Sequence, residues 1–406
     1  MISKRSFRYY SRNEEIFQKF DRGGNVGFYW CMLYFFCFLY FTGIFWLVRF
    51  PVYLINKKRK LAHKGIIGIT FSKNQRIINK LVIELTHLDF PVYDFVEDKR
   101  IKQTNTFTTL FVFLSAISNC RRTVSELQQA RADKVLFNNF VRVIKISGLE
   151  YVFKILIDQN VKGLIKYNDH SPYSILLSDM CKEKGVRTIY IQHAPVSEKF
   201  PPLYHDLNVL FSQDSIDKYK IEHQEVKIFV FFDIRFMKND FTENISNIKP
   251  SVLLCPNQLD DNKVVVNLAD ELSDYYNVII RPHPTEIDNW STTDKYEVSK
   301  NRSVWEDLSK VNYVVTNESG ILLEALHAKK ICYKCAFLSK SSDSYGFIRQ
   351  GLVTKEYFSQ KELLEDMSNN KITYDLNKME YFIGDLSNKD KKAIELKNEI
   401  LSQIKN

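Results

Sequence analysis

The sequence predicts an α/β protein made of two Rossmann-like halves, and three observations carry that expectation. Short apolar runs rich in β-branched residues alternate with stretches of helical period, the pattern of a parallel sheet covered by helices on both faces. Several of these runs end abruptly in polar or proline turns, the place where an open α/β sheet holds its ligand. Residues 233–250 (DIRFMKNDFTENISNIKP) are polar, follow no consistent period and end in proline, so they read as a linker between the halves.

At the amino terminus, residues 1–25 are polar and on balance basic. Residues 26–48 carry no charge at all, and a helix of that length spans about 35 Å, enough for a bilayer core. Trp30 and Trp46 stand near its two ends, as an interfacial belt places them. The stretch 26–50 is therefore expected to be a membrane segment, a single span or an interfacial or re-entrant anchor, with a buried core helix as the plain alternative. It is long, begins far from Met1 and lacks a small-residue cleavage site, which argues against a cleaved leader. Arg49 and then Lys57-Lys58-Arg59-Lys60 follow it, so positive-charge counting places the rest of the chain on the cytoplasmic side of the inner membrane.

Residues 61–235 form the first expected domain. Residues 65–71 (GIIGITF) read as a buried strand, and Ser72 is placed to cap a helix running to 85. No G-x-G-x-x-G follows, so the dinucleotide fingerprint is absent. Stretches 106–122 and 124–146 read as helices. Strand 161–167, helix 172–184 and strands 188–191 and 208–211 then restore the alternation. Two of these strand ends carry polar groups, Asn168-Asp169-His170 and Gln192-His193. A histidine so placed titrates near neutrality and can serve as a base, with Asp169 as a second candidate; the plain alternative is a loop histidine satisfied by backbone. Phe200-Pro201-Pro202-Leu203 is a rigid extended loop nearby, read either as the wall of a cleft or as packing.

Residues 250–385 form the second expected domain, with strands at 251–255, 278–280, 313–315 and 330–334 and helices at 264–276, 303–309, 321–328 and 360–367. Pro282 and Pro284 stop the second of these strands, because proline lacks the N–H a ladder needs, and they hold His283 between them at the strand end. Farther along, strand 313–315 runs into Asn317-Glu318-Ser319-Gly320 and straight into a helix. Such a turn presents backbone N–H groups and a positive dipole end, which suits a phosphate. His283 and Ser319 are thus expected to face one anionic ligand. Read singly, RPHP is a rigid connector and ESG a helix cap; their order and spacing together argue for a site. Asp260-Asp261 reads as a solvated helix cap and not as a metal site. Segment 386–406 carries a charged amphipathic helix, 390–404, expected to pack back across the first domain.

The net charge of +9 fits a membrane surface, a nucleotide-bearing substrate or nucleic acid equally well. Lysine is spread along the chain with no compact basic stripe outside the amino-terminal region, which argues against a nucleic-acid partner. The seven scattered cysteines point to a reducing compartment and not to a disulfide scaffold. Cys332 and Cys335 have C-x-x-C spacing, but on a strand they point to opposite faces, so both read as buried structural cysteines.

Two such halves, joined by a linker and closed by a C-terminal helix, resemble the GT-B fold of glycosyltransferases. RPHP, NESG with Glu324 one turn into its helix, and QHA after a strand of the first half are similar to the pattern of surface and capsular polysaccharide transferases, among them the CDP-glycerol glycerophosphotransferases and HP-motif bacterial transferases. The likeness covers roughly residues 61–385. It implies a transferase that moves a sugar from a nucleotide-activated donor to a surface polysaccharide or lipid-linked glycan acceptor at the membrane. Transfer of a polyol phosphate from a CDP-activated donor is the alternative among enzymes, and a non-catalytic membrane scaffold of a polysaccharide-synthesis complex the alternative outside them. The resemblance further implies that His283 binds the donor phosphate, with Glu318, Ser319 and Gly320 around the same group and Glu324 reaching the donor ribose. His193 becomes the acceptor-side base, with Asp169 in reserve, and Arg281 a nearby cation for the leaving phosphate. No metal and no cofactor is expected. The chain departs from the pattern at Ala194, where a glycine is usual, and lacks the acidic D/E-D/E-G motif of the sialyltransferases.

Overall fold

The computed structural model describes residues 65–94, 161–198, 202–221, 226–237, 249–284, 286–301, 303–339 and 343–405, together with the single residues Leu33, Phe36, Cys37, Phe153, Ile157 and Phe200. The expected membrane segment 26–50, apart from those first three residues, and the expected helices 106–122 and 124–146 lie outside the described residues. Leu33, Phe36 and Cys37 are helical and exposed. Among the described residues no helix is long and apolar enough to cross a membrane.

Two six-stranded sheets organise the chain, and every neighbouring pair of strands in them is parallel. The first contains β1 (Gly65–Thr70), β2 (Val92–Asp94), β3 (Val161–Lys166), β4 (Arg187–Ile191), β5 (Leu207–Leu210) and β6 (Lys227–Val230), in the order β2-β1-β3-β4-β5-β6. The second contains β7 (Ser251–Cys255), β8 (Asn277–Ile280), β9 (Tyr296–Val298), β10 (Tyr313–Thr316), β11 (Ile331–Cys335) and β12 (Glu356–Tyr357), in the order β12-β11-β10-β7-β8-β9. In each sheet the chain winds outward on one side and then crosses to the other. The crossing leaves a crevice at the carboxyl ends of β1 and β3, and another at those of β7 and β10, which is where doubly wound sheets take ligands.

The inner strands are buried on both faces and are mainly apolar: every residue of β5, β7 and β10 is buried, the polar Asn208, Ser251 and Thr316 included. Alternation across the second sheet is seen at the cysteines, with Cys332 packed among Leu253, Val314 and Leu322 on one face and Cys335 among Leu254, Val315 and Leu363 on the other. Both are free thiols, and burial raises their pKa.

The helices begin where the sequence supplies caps. Ser72 Oγ accepts from Gln75 N at 3.3 Å to start α1 (Lys73–Thr86), and Ser171 caps α2 (Pro172–Glu183), whose first-turn proline has no N–H to satisfy. A short α3 (Gln213–Lys218) follows β5. In the second half, Asp261 accepts from Lys263 N at 2.9 Å to start α4 (Asn262–Leu272), and Ser303 caps α5 (Val304–Leu308). There follow α6 (Ile321–His327), α7 (Gln360–Ser368) and α8 (Met379–Ile383). The chain then returns to the first half. Gly384, at φ +78°, turns it, and Ala393, Leu396 and Ile400 of α9 (Lys389–Lys405) join the core formed by Ile78, Val82 and Ile165.

Residues 233–250 are not a linker throughout, as the sequence alone predicts. Asp233 is fully buried and donates its backbone N–H to the Ile383 carbonyl at 2.7 Å. Ile234–Phe236 form a 3-10 turn, and Phe236 packs edge-on against Trp305 and His327 of the second half. Apolar Ile234 and Phe236 alternate with charged Asp233 and Arg235 over too short a span for a period to register.

Candidate active site in the cleft between the sheets

In the first half the candidate groups gather at the crevice beside β3. Asp169 follows that strand and is 2% exposed; it accepts from the Tyr219 hydroxyl, and its Oδ1 lies 2.8 Å from His170 Nδ1. The Tyr219 hydroxyl is in turn 3.1 Å from that of Tyr190, and the Phe200 ring covers His170 with centroids 4.5 Å apart. Burial pushes the Asp169 carboxyl up, but His170, Tyr219 and His193 together hold it below its ordinary value. The tyrosine donors show no periodic signal in the sequence, since Tyr219 comes from the end of α3, fifty residues away.

His193 leaves the neighbouring strand β4, so it stands beside Asp169 at the same sheet edge. Its Nδ1 is buried and makes no hydrogen bond with the described residues. Burial, reinforced by the positive potential of His170 and Arg235 and opposed by Asp169, lowers its pKa to about 4. The imidazole is therefore neutral at pH 7, the form that can take a proton. Gln192 secures the loop by accepting from Phe211 N and donating to Ala194 O, both at 2.9 Å.

In the second half the Pro256–Lys263 connection, His283, Glu286 and Trp290 line a cavity of about 370 Å³ at the carboxyl ends of β7 and β8, open to the first turn of α4. His283 thus sits where the sequence places it, and burial lowers its pKa against the opposing pull of Glu286. Asp260 is buried and not solvated as expected: it accepts from Asn257 N at 2.8 Å and from Asn317 Nδ2 at 3.1 Å, tying the β7 and β10 loops together. Glu318 is engaged as well, with Oε1 accepting from Tyr345 N at 2.5 Å and Oε2 3.4 Å from buried Lys334 Nζ. Ser319 Oγ accepts from Ile321 N at 3.3 Å. Arg281 is not displayed at its strand end: its Nη1 is held by Asp307 and by the carbonyls of Asn301 at 3.2 Å and Ser303 at 3.3 Å. That arginine anchors the approach to α5.

The two halves meet at Gly320. A Cβ there would lie 3.3 Å from both Arg235 Nη1 and Pro195 Cδ, so the NESG turn of one sheet abuts the His193 loop of the other. Arg235 also reaches Glu324, Nη1 to Oε1 at 3.4 Å. Burial, with Asp233 adding to it, raises the Glu324 pKa, and Arg235 opposes. Arg235 is the residue of this cleft that sequence reading misses. Its only local sign is the Asp233-Ile-Arg235 spacing, inside a stretch read as linker.

Two doubly wound sheets whose carboxyl edges confront one another, with titratable groups on both sides, make the chain an α/β protein of GT-B-like architecture. No family model matches the sequence, and no curated protein does. Among solved structures, Staphylococcus aureus MnaA in complex with UDP is similar at 13% identity and a TM-score of 0.49, covering 85% of this chain and 98% of that one. The wall teichoic acid polymerase TagF is similar at 10% identity and a TM-score of 0.49, over 90% of this chain and 98% of its own. A glycosyltransferase from Rickettsia africae is similar at 11% identity and a TM-score of 0.40, over 84% and 94%. Identities this low carry no residue roles across.

Proposed function

We propose that the protein is a glycosyltransferase that moves a sugar from a nucleotide-activated donor to a surface polysaccharide or lipid-linked acceptor at the cytoplasmic face of a membrane, without a metal. The observation that carries this reading is the meeting of the His193 loop with the Gly320 turn, which brings Arg235 of the first half against Glu324 of the second, while His283 lines a cavity formed by the second half. In this reading the donor diphosphate lies in the cavity at His283 and the first turn of α4, where imidazole, Lys263 and the helix dipole meet developing negative charge. Glu324 accepts from the ribose. The acceptor hydroxyl attacks the anomeric carbon, its proton passes to neutral His193, and the bond from that carbon to the phosphate oxygen breaks. The membrane attachment rests on the uncharged run 26–48.

The test is thermal shift of the full-length protein with UDP, GDP, CDP and CMP, beside His283→Ala. A ligand that binds only the folded state at a hundredfold excess over Kd stabilises by about 2.7 kcal/mol. The expected result is stabilisation by one nucleotide, lost in the variant. Stabilisation by CDP alone, together with passage of glycerol phosphate from CDP-glycerol to an acceptor hydroxyl and departure of CMP, would redirect the reading to polyol-phosphate transfer. A folded chain that no nucleotide stabilises would turn it to the scaffold.

A further inference from the structure

Arg235 occupies the cleft without belonging to either motif. Its Nε lies 2.9 and 3.1 Å from the two Asp233 oxygens and its Nη2 2.5 Å from Oδ2, a fork-on-carboxylate clamp that fixes the guanidinium plane. Asp233 is itself immobile, fully buried and tied by its backbone to Ile383. The clamp leaves Nη1 as the edge turned toward the second half, where it meets Glu324 Oε1 at 3.4 Å and lies close beside Gly320. Glu324 Oε2 takes no hydrogen bond from the described residues. A glutamate on a helix face otherwise samples several rotamers and loses that freedom when it binds. Here a cation from the opposite half selects one.

We propose that Arg235 is a positioning residue for the nucleotide-activated donor: clamped by Asp233 in the first half, it orients the Glu324 carboxylate of the second half to accept the donor's ribose hydroxyls. The inference rests on the donor reading above and adds to it that the first half takes part in donor recognition without touching the ribose. Because the pair is buried, its role is geometric; replacing a buried ion pair whole is often close to neutral for folding, whereas removing one partner is not.

The experiment measures the affinity of full-length protein for CDP, UDP and GDP and for their 2′,3′-dideoxy counterparts, in wild type, in the double variant Asp233→Asn with Arg235→Met, and in Arg235→Lys. A hydrogen bond from a hydroxyl to a positioned carboxylate corresponds to roughly tenfold or more in affinity. Wild type is expected to bind the ribonucleotide tighter than its dideoxy form by that factor, and both variants to bind the two alike, at the wild-type affinity for the dideoxy form. The shorter lysine cannot span Asp233 and Glu324, and it decides the matter if the double variant does not fold. Retention of the ribose preference in a folded variant overturns the inference. A wild type that binds nucleotide with no ribose preference overturns it too, while leaving the donor reading intact; a wild type that binds no nucleotide overturns both.

Discussion

A neutral imidazole at pH 7 is an unusual resource when a carboxylate stands on the adjacent strand end, and at His193 burial outweighs Asp169 in setting it. The depressed value has a thermodynamic counterpart. The folded-state pKa is about 4 and the ordinary value 6.5, so between these pH values the unfolded chain binds the proton and the folded chain does not. The contribution of His193 to stability is therefore complete above about pH 6.5 and is lost as pH falls toward 4, on the order of 1–3 kcal/mol. His193→Gln keeps the shape and removes the proton site. Its melting temperature is expected to fall less steeply than that of wild type from pH 6.5 to 4, with activity abolished at every pH. Parallel melting profiles would mean that the imidazole titrates alike in the folded and unfolded chain, and that burial does not depress it.

At the level of elements, the tightest joint is the turn by which the chain leaves α8 for α9. Gly384 has φ +78°, and a Cβ there would come 2.2 Å from the Phe211 carbonyl oxygen and 3.0 Å from Phe232 Cα, both backbone atoms that cannot swing aside. Gly384→Ala is expected to destabilise by about 3 kcal/mol or more in urea unfolding, since strain and clash act together. A cost under about 0.5 kcal/mol, the size of a surface change, would show that the turn relaxes freely. Gly384 also illustrates where legibility stops. The inner strands β1, β3, β4, β5, β7, β8, β10 and β11 are visible in the sequence within about a residue, because burial on both faces makes each predominantly apolar, with only isolated polar residues such as Lys162, Asn208 and Lys334. The strands that sequence reading misses are β2, β6, β9 and β12, the four sheet edges. An edge strand is half covered and, at two to four residues here, too short for alternation to register. The site divides in the same way: His193, Asp169 and His283 follow legible strands, whereas Arg235 and Tyr219 take their meaning from partners 89 and 50 residues away.

Over the whole molecule, the halves are coupled by polar ties, by Phe236 packed against Trp305 and His327, and by one returning helix. Lys218 Nζ donates to the Tyr345 carbonyl at 2.8 Å, Tyr381 to Asp217 at 2.8 Å, and Arg235 meets Glu324. The exposed tie between Tyr381 and Asp217 sets orientation more than stability, because exposed pairs contribute about 0–1 kcal/mol each, whereas Lys218 and Glu324 are buried. The apolar contribution of α9 is different in kind: Leu396 and Ile400 are 0% exposed and pack into the core of the first half, against α1 and β3. Truncating a buried Leu or Ile to Ala costs about 2–5 kcal/mol. Leu396→Ala with Ile400→Ala should thus loosen the first half, although the two residues follow the second half in sequence. Hydrogen exchange is expected to speed up in α1 and β3 while β7 and β10 keep their protection, since those strands bury their faces within the second half. If protection instead fell equally in both sheets, the cleft would be the seam of a single cooperative unit.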